Sequence, residues 1–163
     1  MSTDLSSVTS SFKFHSYKID EFSFSMEKQL GLLDFMNVGD TEGWNLTINI
    51  RQPIFVEKEK VYVSGIGCKL ELKSSVGEET PPLARLNASI SGKFSTEGGF
   101  SVEQEESLVR TQMPAILFPY LRGAVTSFLA NAGFGPFIFP LINMQEVAKQ
   151  SLKDVKPKII ADQ

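Results

Sequence analysis

The stretch Val61-Tyr-Val-Ser-Gly-Ile-Gly-Cys-Lys-Leu-Glu-Leu-Lys73 sets Ile66, Cys68, Leu70 and Leu72 on one side and Lys69, Glu71 and Lys73 on the other. Such alternation is what a strand with one face in a core and one in water requires, because successive side chains leave opposite faces of the pleat. The next strand, Ala84-Arg-Leu-Asn-Ala-Ser-Ile-Ser-Gly-Lys93, repeats it, with Ala84, Leu86, Ala88 and Ile90 against Arg85, Asn87, Ser89, Ser91 and Lys93. Turn residues from Gly77 to Pro82 separate the two. Consecutive amphipathic strands joined by a short turn predict an antiparallel pair.

Working toward the N-terminus, Leu46, Ile48 and Ile50 alternate with Thr47 and Asn49 in a strand that continues past Pro53 through Phe55. A proline cannot donate to a ladder, so an edge or a break is expected at Pro53. From Phe12 to Met26 the apolar residues run in two phases, Phe12/Phe14 and then Phe22/Phe24/Met26, with Tyr17 and Ile19 between, which predicts a strand with a bulge. Toward the C-terminus the period changes. Leu117, Leu121, Ala124 and Phe128 fall on one helical face, Pro119 suits a first helical turn and Gly133 a C-terminal cap. A linker, Phe134 to Pro140, leads to a shorter amphipathic helix from about Met144 to Asp154. The pattern is α+β: a four-stranded antiparallel sheet, a long helix and a short one. Residues 1–11 are expected to be unstructured, 12–154 to form one domain, and the aperiodic tail 155–163 to be flexible.

With 163 residues, 42% hydrophobic, 16 Lys+Arg against 19 Asp+Glu and a net charge of -3, the chain has the make-up of one globular domain and no electrostatic footprint for nucleic acid. The start lacks a signal peptide's basic and apolar regions, no apolar run is long enough for membrane insertion, and a single cysteine forms no internal disulfide. These point to the cytoplasm. No catalytic constellation emerges from the residues. His15, the one histidine, has no nucleophile elbow to serve; Gly65-Ile-Gly67 lies inside a strand and lacks the third glycine of a phosphate loop; Glu78-Glu79 and Glu103, Glu105, Glu106 read as solvated charge runs. Cys68 sits on an apolar strand face, and no metal motif or cofactor motif is present. The chain is expected not to be an enzyme. One stretch stands apart: Glu27 to Trp44 carries Leu30, Leu32, Leu33, Phe35, Met36 and Trp44 among glycines, unusually apolar for a connection. It is either a lid on the chain's own core or a surface for apolar segments of other chains.

The segment Gln112-Met-Pro-Ala-Ile-Leu-Phe-Pro-Tyr-Leu-Arg122 closely resembles the most characteristic segment of the SecB family of protein-export chaperones. Phe22-Ser-Phe24, Trp44 before strand two, Gly77-Glu-Glu-Thr80, Gly92-x-Phe94 and Pro140-Leu-Ile-Asn143 agree in order, so the likeness covers about Phe12 to Ala148. The resemblance implies a dimer of dimers acting as an ATP-independent holdase for unfolded polypeptides or preproteins, with the SecA motor as a partner of export members. It favours the binding reading of the apolar connection and implies a client groove of Leu33, Phe35, Met36, Trp44, Phe137, Phe139, Met144 and Val147. Apolar area beyond what one sheet covers is expected to pair subunits through Ala84, Leu86, Ala88, Leu117, Leu121, Ala124 and Phe128. Of three acids implied for SecA docking, Glu21 is kept, whereas Ser25 and Arg85 replace the other two. Export and a dedicated role, such as chaperoning an antitoxin without a translocase, therefore both stand. A small apolar-ligand binder or a purely structural oligomer are the readings outside that class.

Overall fold

The two strands most legible in the sequence form the middle of the sheet. In the computed structural model, which describes residues 11–27, 43–73, 81–134 and 137–161, β4 (Val61–Leu72) pairs antiparallel with β5 (Ala84–Thr96), Cys68 opposite Ala88 and Leu70 opposite Leu86. β1 (Phe12–Met26) lies on the far side of β5. The other edge of β4 takes β2 (Trp44–Ile50) along Ile66–Leu72 and β3 (Ile54–Val56) along Val61–Val63. β2 and β3 are thus one line broken around Pro53, where the missing N–H interrupts the ladder. The expected four strands become six, because that line counts twice and β6 (Lys158–Ile160) adds itself parallel to β3. The tail expected to be flexible from Val155 carries this strand; three residues show no periodicity of their own, and their partner lies about a hundred positions away.

The two-phase pattern of β1 resolves into two irregularities, between Phe14 and Ser16 and between Ile19 and Glu21. Each adds a residue, His15 and Asp20, and so resets the alternation. Phe12, Phe14, Tyr17, Ile19, Phe22 and Phe24 consequently all face the same side: Ile19 lies opposite Ile90, Phe22 opposite Ala88 and Phe24 opposite Leu86.

On that side lies the helical layer. It begins at Val102, far ahead of the start expected near Pro119. α1 (Val102–Ser107) opens with a capping box, in which Ser101 Oγ accepts from the Gln104 N–H and Gln104 Oε1 accepts from the Ser101 N–H. A π-helical turn, Leu108–Gln112, runs into α2 (Met113–Asn131), with Pro114 in its first turn and Pro119 inside it. Gly133, at φ 91°, ends the run in the left-handed conformation that a side chain would oppose. α3 (Met144–Ser151) is capped by Asn143, whose Oδ1 accepts from the Glu146 N–H. By length and composition the 30-residue run Val102–Asn131 could cross a membrane. Its apolar stripe is instead spent on the sheet: Leu117, Leu121, Val125 and Leu129 are wholly buried with Ile66, Leu70, Leu86 and Ile90.

This packing corrects the expected oligomer surface. Ala84, Leu86, Ala88, Leu117 and Leu121 are covered by the chain's own second layer and have no area to offer a partner, while Ala124 and Phe128 are half-buried, Phe128 among the rings of Phe22 and Phe24. Helix and sheet stripes are complementary within one chain, so each covers the other.

Candidate functional site

Beyond the end of α2 the chain returns over the sheet through Phe134 and Phe137–Asn143, and aromatic residues converge there. Phe24 on β1 meets Phe134 at 5.7 Å between ring centroids; Phe134 meets Trp44 at 5.4 Å; Trp44 meets Phe137 at 6.1 Å. Phe137 meets Phe139 at 5.6 Å, and Phe139 meets Phe118 of α2 at 5.6 Å. The contacts are edge-to-face, the favoured arrangement for rings in this range. A ridge of rings therefore runs from β1, over the start of β2, to α2.

Of the residues expected in the client groove, Trp44 and Val147 are half-buried, whereas Phe137, Phe139 and Met144 belong to the core beneath the surface. Leu33, Phe35 and Met36 lie outside the described residues. Among the described residues of this region the open apolar positions are two that sequence reasoning passed over: Ile138, 71% exposed, and Leu141, 97% exposed. The signal for Ile138 was present, because anchoring Phe137 and Phe139 inward in an extended run turns the residue between them outward. Among the described residues the site is a shelf: an aromatic floor carrying the exposed side chains of Ile138 and Leu141, with half-buried Trp44 and Ile142 in the same region.

The opposite, polar face carries charge networks. Arg51 reaches from the β2–β3 break across β4 and β5 to the carboxylate of Asp20 in the second β1 irregularity, with Nη2 also 3.0 Å from the Ile90 carbonyl and 3.2 Å from Ser91 Oγ. Gly65 makes the crossing possible, since a Cβ there would stand 2.5 Å from Arg51 Nε. Burial pushes the Asp20 carboxyl up, but hydrogen bonds from Arg51, Ser91 and Lys18 outweigh it and hold it below its ordinary 3.8. Farther along, Ser25, Arg85 and Glu71 stand in a row across β1, β5 and β4. Glu71 accepts from Lys69 at 2.8 Å and from Arg85 Nε at 3.0 Å, and these bonds, the Lys69 one foremost, hold its carboxyl low. Glu21, opposite Ser89, is the exposed acid of this face expected to meet SecA.

The residues considered for chemistry serve the fold. His15 shares a 2.7 Å hydrogen bond with Ser95, and Tyr62 donates to Glu105 at 2.7 Å, tying α1 to the sheet. Burial pushes the Cys68 thiol up to about 12, far from reactive thiolate behaviour. Among the described residues no three His, Cys, Asp or Glu side chains gather as a metal cluster would require.

A mostly antiparallel sheet covered on one face by a helical layer places the chain in the α+β class, with the apolar shelf at the margin of that layer. The model of the preprotein translocase subunit SecB matches residues 11–155, and the chain belongs to the SecB family. It is similar to the protein-export protein SecB of Dechloromonas aromatica, 38% identical over 32% of this chain and 34% of that one. It is also similar to SecB of Cellvibrio japonicus, 27% identical over 66% of this chain and 64% of that one. The matched region thus spans between about a third and two thirds of these relatives' lengths. Among solved structures it shares its fold with a SecB-like chaperone of Mycobacterium tuberculosis in complex with a ChAD peptide from an antitoxin, with TM-score 0.57, 12% identity, and coverage of 80% of this chain and 90% of that one.

Proposed function

We propose that this chain is a cytoplasmic, ATP-independent holdase that keeps non-native polypeptides unfolded by burying their apolar side chains on the shelf of Ile138, Leu141, Trp44 and Val147, completed by Leu33, Phe35 and Met36 of the preceding connection. The observation that carries the reading is the linker itself, anchored by Phe137 and Phe139 while it holds Ile138 and Leu141 in water. A folded chain exposes large aliphatic groups in this way at a cost, which binding recovers. Each client Leu or Phe buried there contributes roughly 1.5 to 3 kcal/mol, and several weak contacts add through effective concentration. Trapping the unfolded state lowers its free concentration and slows folding without fuel.

The same physics supports assembly into a homotetramer through other surfaces than those expected from the sequence. The outer edge of β1 pairs with no described strand, and beside it Ile19 is 52% exposed near the Tyr17 and Tyr120 rings, which meet tilted at 4.5 Å. A fifteen-residue open edge flanked by apolar side chains favours pairing with a second copy. For the partner, Ser25 and Arg85 argue against SecA docking of the export type, and the antitoxin peptide held by the structural neighbour favours a dedicated client as the second reading. Titration of the protein with a reduced, unfolded, non-cognate polypeptide tests the main proposal. Micromolar binding that delays refolding is expected; refolding at the unassisted rate would leave a structural or small-ligand role instead.

A further inference from the structure

Outside the shelf, the far edge of the sheet holds a strand that the chain supplies to itself. β6 lies parallel to β3, with Lys158 beside Ile54 and Ile160 beside Val56, whereas the other strand pairs of the described sheet are antiparallel. Its attachments are to the main chain: the Lys158 N–H donates to the Pro53 carbonyl at 2.8 Å, and the Ile160 carbonyl accepts from the Glu57 N–H at 3.2 Å. Gln52 Nε2 donates to the Lys156 carbonyl at 2.8 Å, and Val155 and Pro157 border a small cleft with Pro53, Val109 and Arg110. Side chains add little, since Lys158 is exposed, Ile159 is 63% exposed and Ile160 is half-buried.

An edge that holds its occupant by backbone groups recognises extended chain rather than a particular sequence. Unfolded polypeptides present such groups throughout. We infer that the β3 edge is a strand-docking site for an extended segment of non-native polypeptide, and that β6 is its resident occupant, displaced when such a segment arrives. The inference rests on the holdase reading for the nature of the displacing chain. Leu152 to Pro157 bridge α3 to β6, so the tail competes at the millimolar effective concentration typical of short tethers. A free micromolar peptide is then excluded. A client already held on the shelf presents its neighbouring segments at a comparable effective concentration and can exchange with β6.

Two measurements on the full chain test this. A fluorescent peptide of Val155–Ala161 is titrated against the unmodified protein and against Lys158→Pro, which keeps the tail but removes the donor to Pro53. Binding at least about tenfold tighter to the variant is expected, because the tethered competitor is released. N-methylation of the peptide at Lys158 should abolish that binding, and N-methylation at Ile159, whose N–H faces away from β3 by strand alternation, should not. In the second measurement, hydrogen exchange of the unmodified protein is followed as a saturating unfolded polypeptide is added; the Lys158 amide should lose protection while the Glu57 amide keeps it. Equal peptide binding by both proteins, equal loss on either methylation, or an undiminished Lys158 amide in the presence of bound client would each overturn the inference. If the edge were reserved for a second copy's tail, the peptide would bind the variant but client would leave Lys158 protected. If no client binds while the peptide arm behaves as expected, the holdase reading fails and the edge remains a strand site.

Discussion

Two apolar regions of this chain have similar composition and opposite fates. Between β5 and α2, Leu86, Ile90, Leu117 and Leu121 are removed from water by residues of the same chain. Along the β1 edge and the linker, Tyr17, Ile19, Ile138 and Leu141 remain in it. The helical layer is centred on β4 and β5, so it covers the middle of the sheet and leaves the margin. Apolar character therefore marks what must be buried, and the number of layers above it decides whether the chain itself or another polypeptide does the burying.

That contrast breaks most visibly at its buried end. Leu117→Ala should cost about 2 to 5 kcal/mol of stability by opening a cavity over Gly92, whose missing side chain makes room for Leu117. Urea melting checks this, and a loss below 1 kcal/mol would mean that the helix is not the core layer. At the margin, Ile19→Lys should leave the fold intact and lower the mass of the assembly measured by light scattering, by placing a charge in the edge-to-edge contact. An unchanged mass would move the assembly surface elsewhere.

Ile138→Ser with Leu141→Ser sharpens the comparison, since it should weaken retention of an unfolded client by about 1 to 3 kcal/mol while the melting midpoint hardly moves. A large fall in stability with normal client binding would make the linker core rather than shelf. On the polar face, the unmodified chain should bind a SecA C-terminal zinc peptide weakly, and Ser25→Glu with Arg85→Glu should improve calorimetric affinity by about 1 to 2 kcal/mol. Tight, salt-dependent binding to the unmodified chain would show that Arg85 does not repel such a partner.

The smallest effect concerns Asp20. Its folded-state value is lowered, so its contribution is present above the ordinary 3.8 and is lost as pH falls through that lowered value. Asp20→Asn should cost about 1 kcal/mol at neutral pH, given the half-exposed Arg51 partner, and the difference from the parent should vanish in acid. A constant difference down to acid pH would dissociate Asp20 from the Arg51 network.

Much of this could be read from residues alone, and the misses have identifiable causes. The alternation in Val61–Leu72 and Ala84–Ile90 was legible because one face of each strand is fully buried, and the Pro53 break because a missing N–H is a local fact. The early helix start was missed although Ser101 and Gln104 spell a capping box, because Glu103, Glu105 and Glu106 read equally well as solvated charge. Ile138 could have been found from the inward anchoring of its neighbours; β6 had no local signal.

The sequence by itself determined the antiparallel strands, their faces, the helical run after them and, through the Gln112–Arg122 segment, the family, because periodicity, proline chemistry and motif residues are carried by neighbours in the chain. Only the tertiary structure decided that Leu86 and Leu117 are covered within the chain rather than by a partner, that Phe137 and Phe139 form a floor and Ile138 and Leu141 the surface above it, that Arg51 spans the sheet to Asp20, and that the tail returns to pair with β3. Each of these joins residues far apart in the chain. An apolar side chain states only that it avoids water, and which distant surface removes it is settled by how the layers come together.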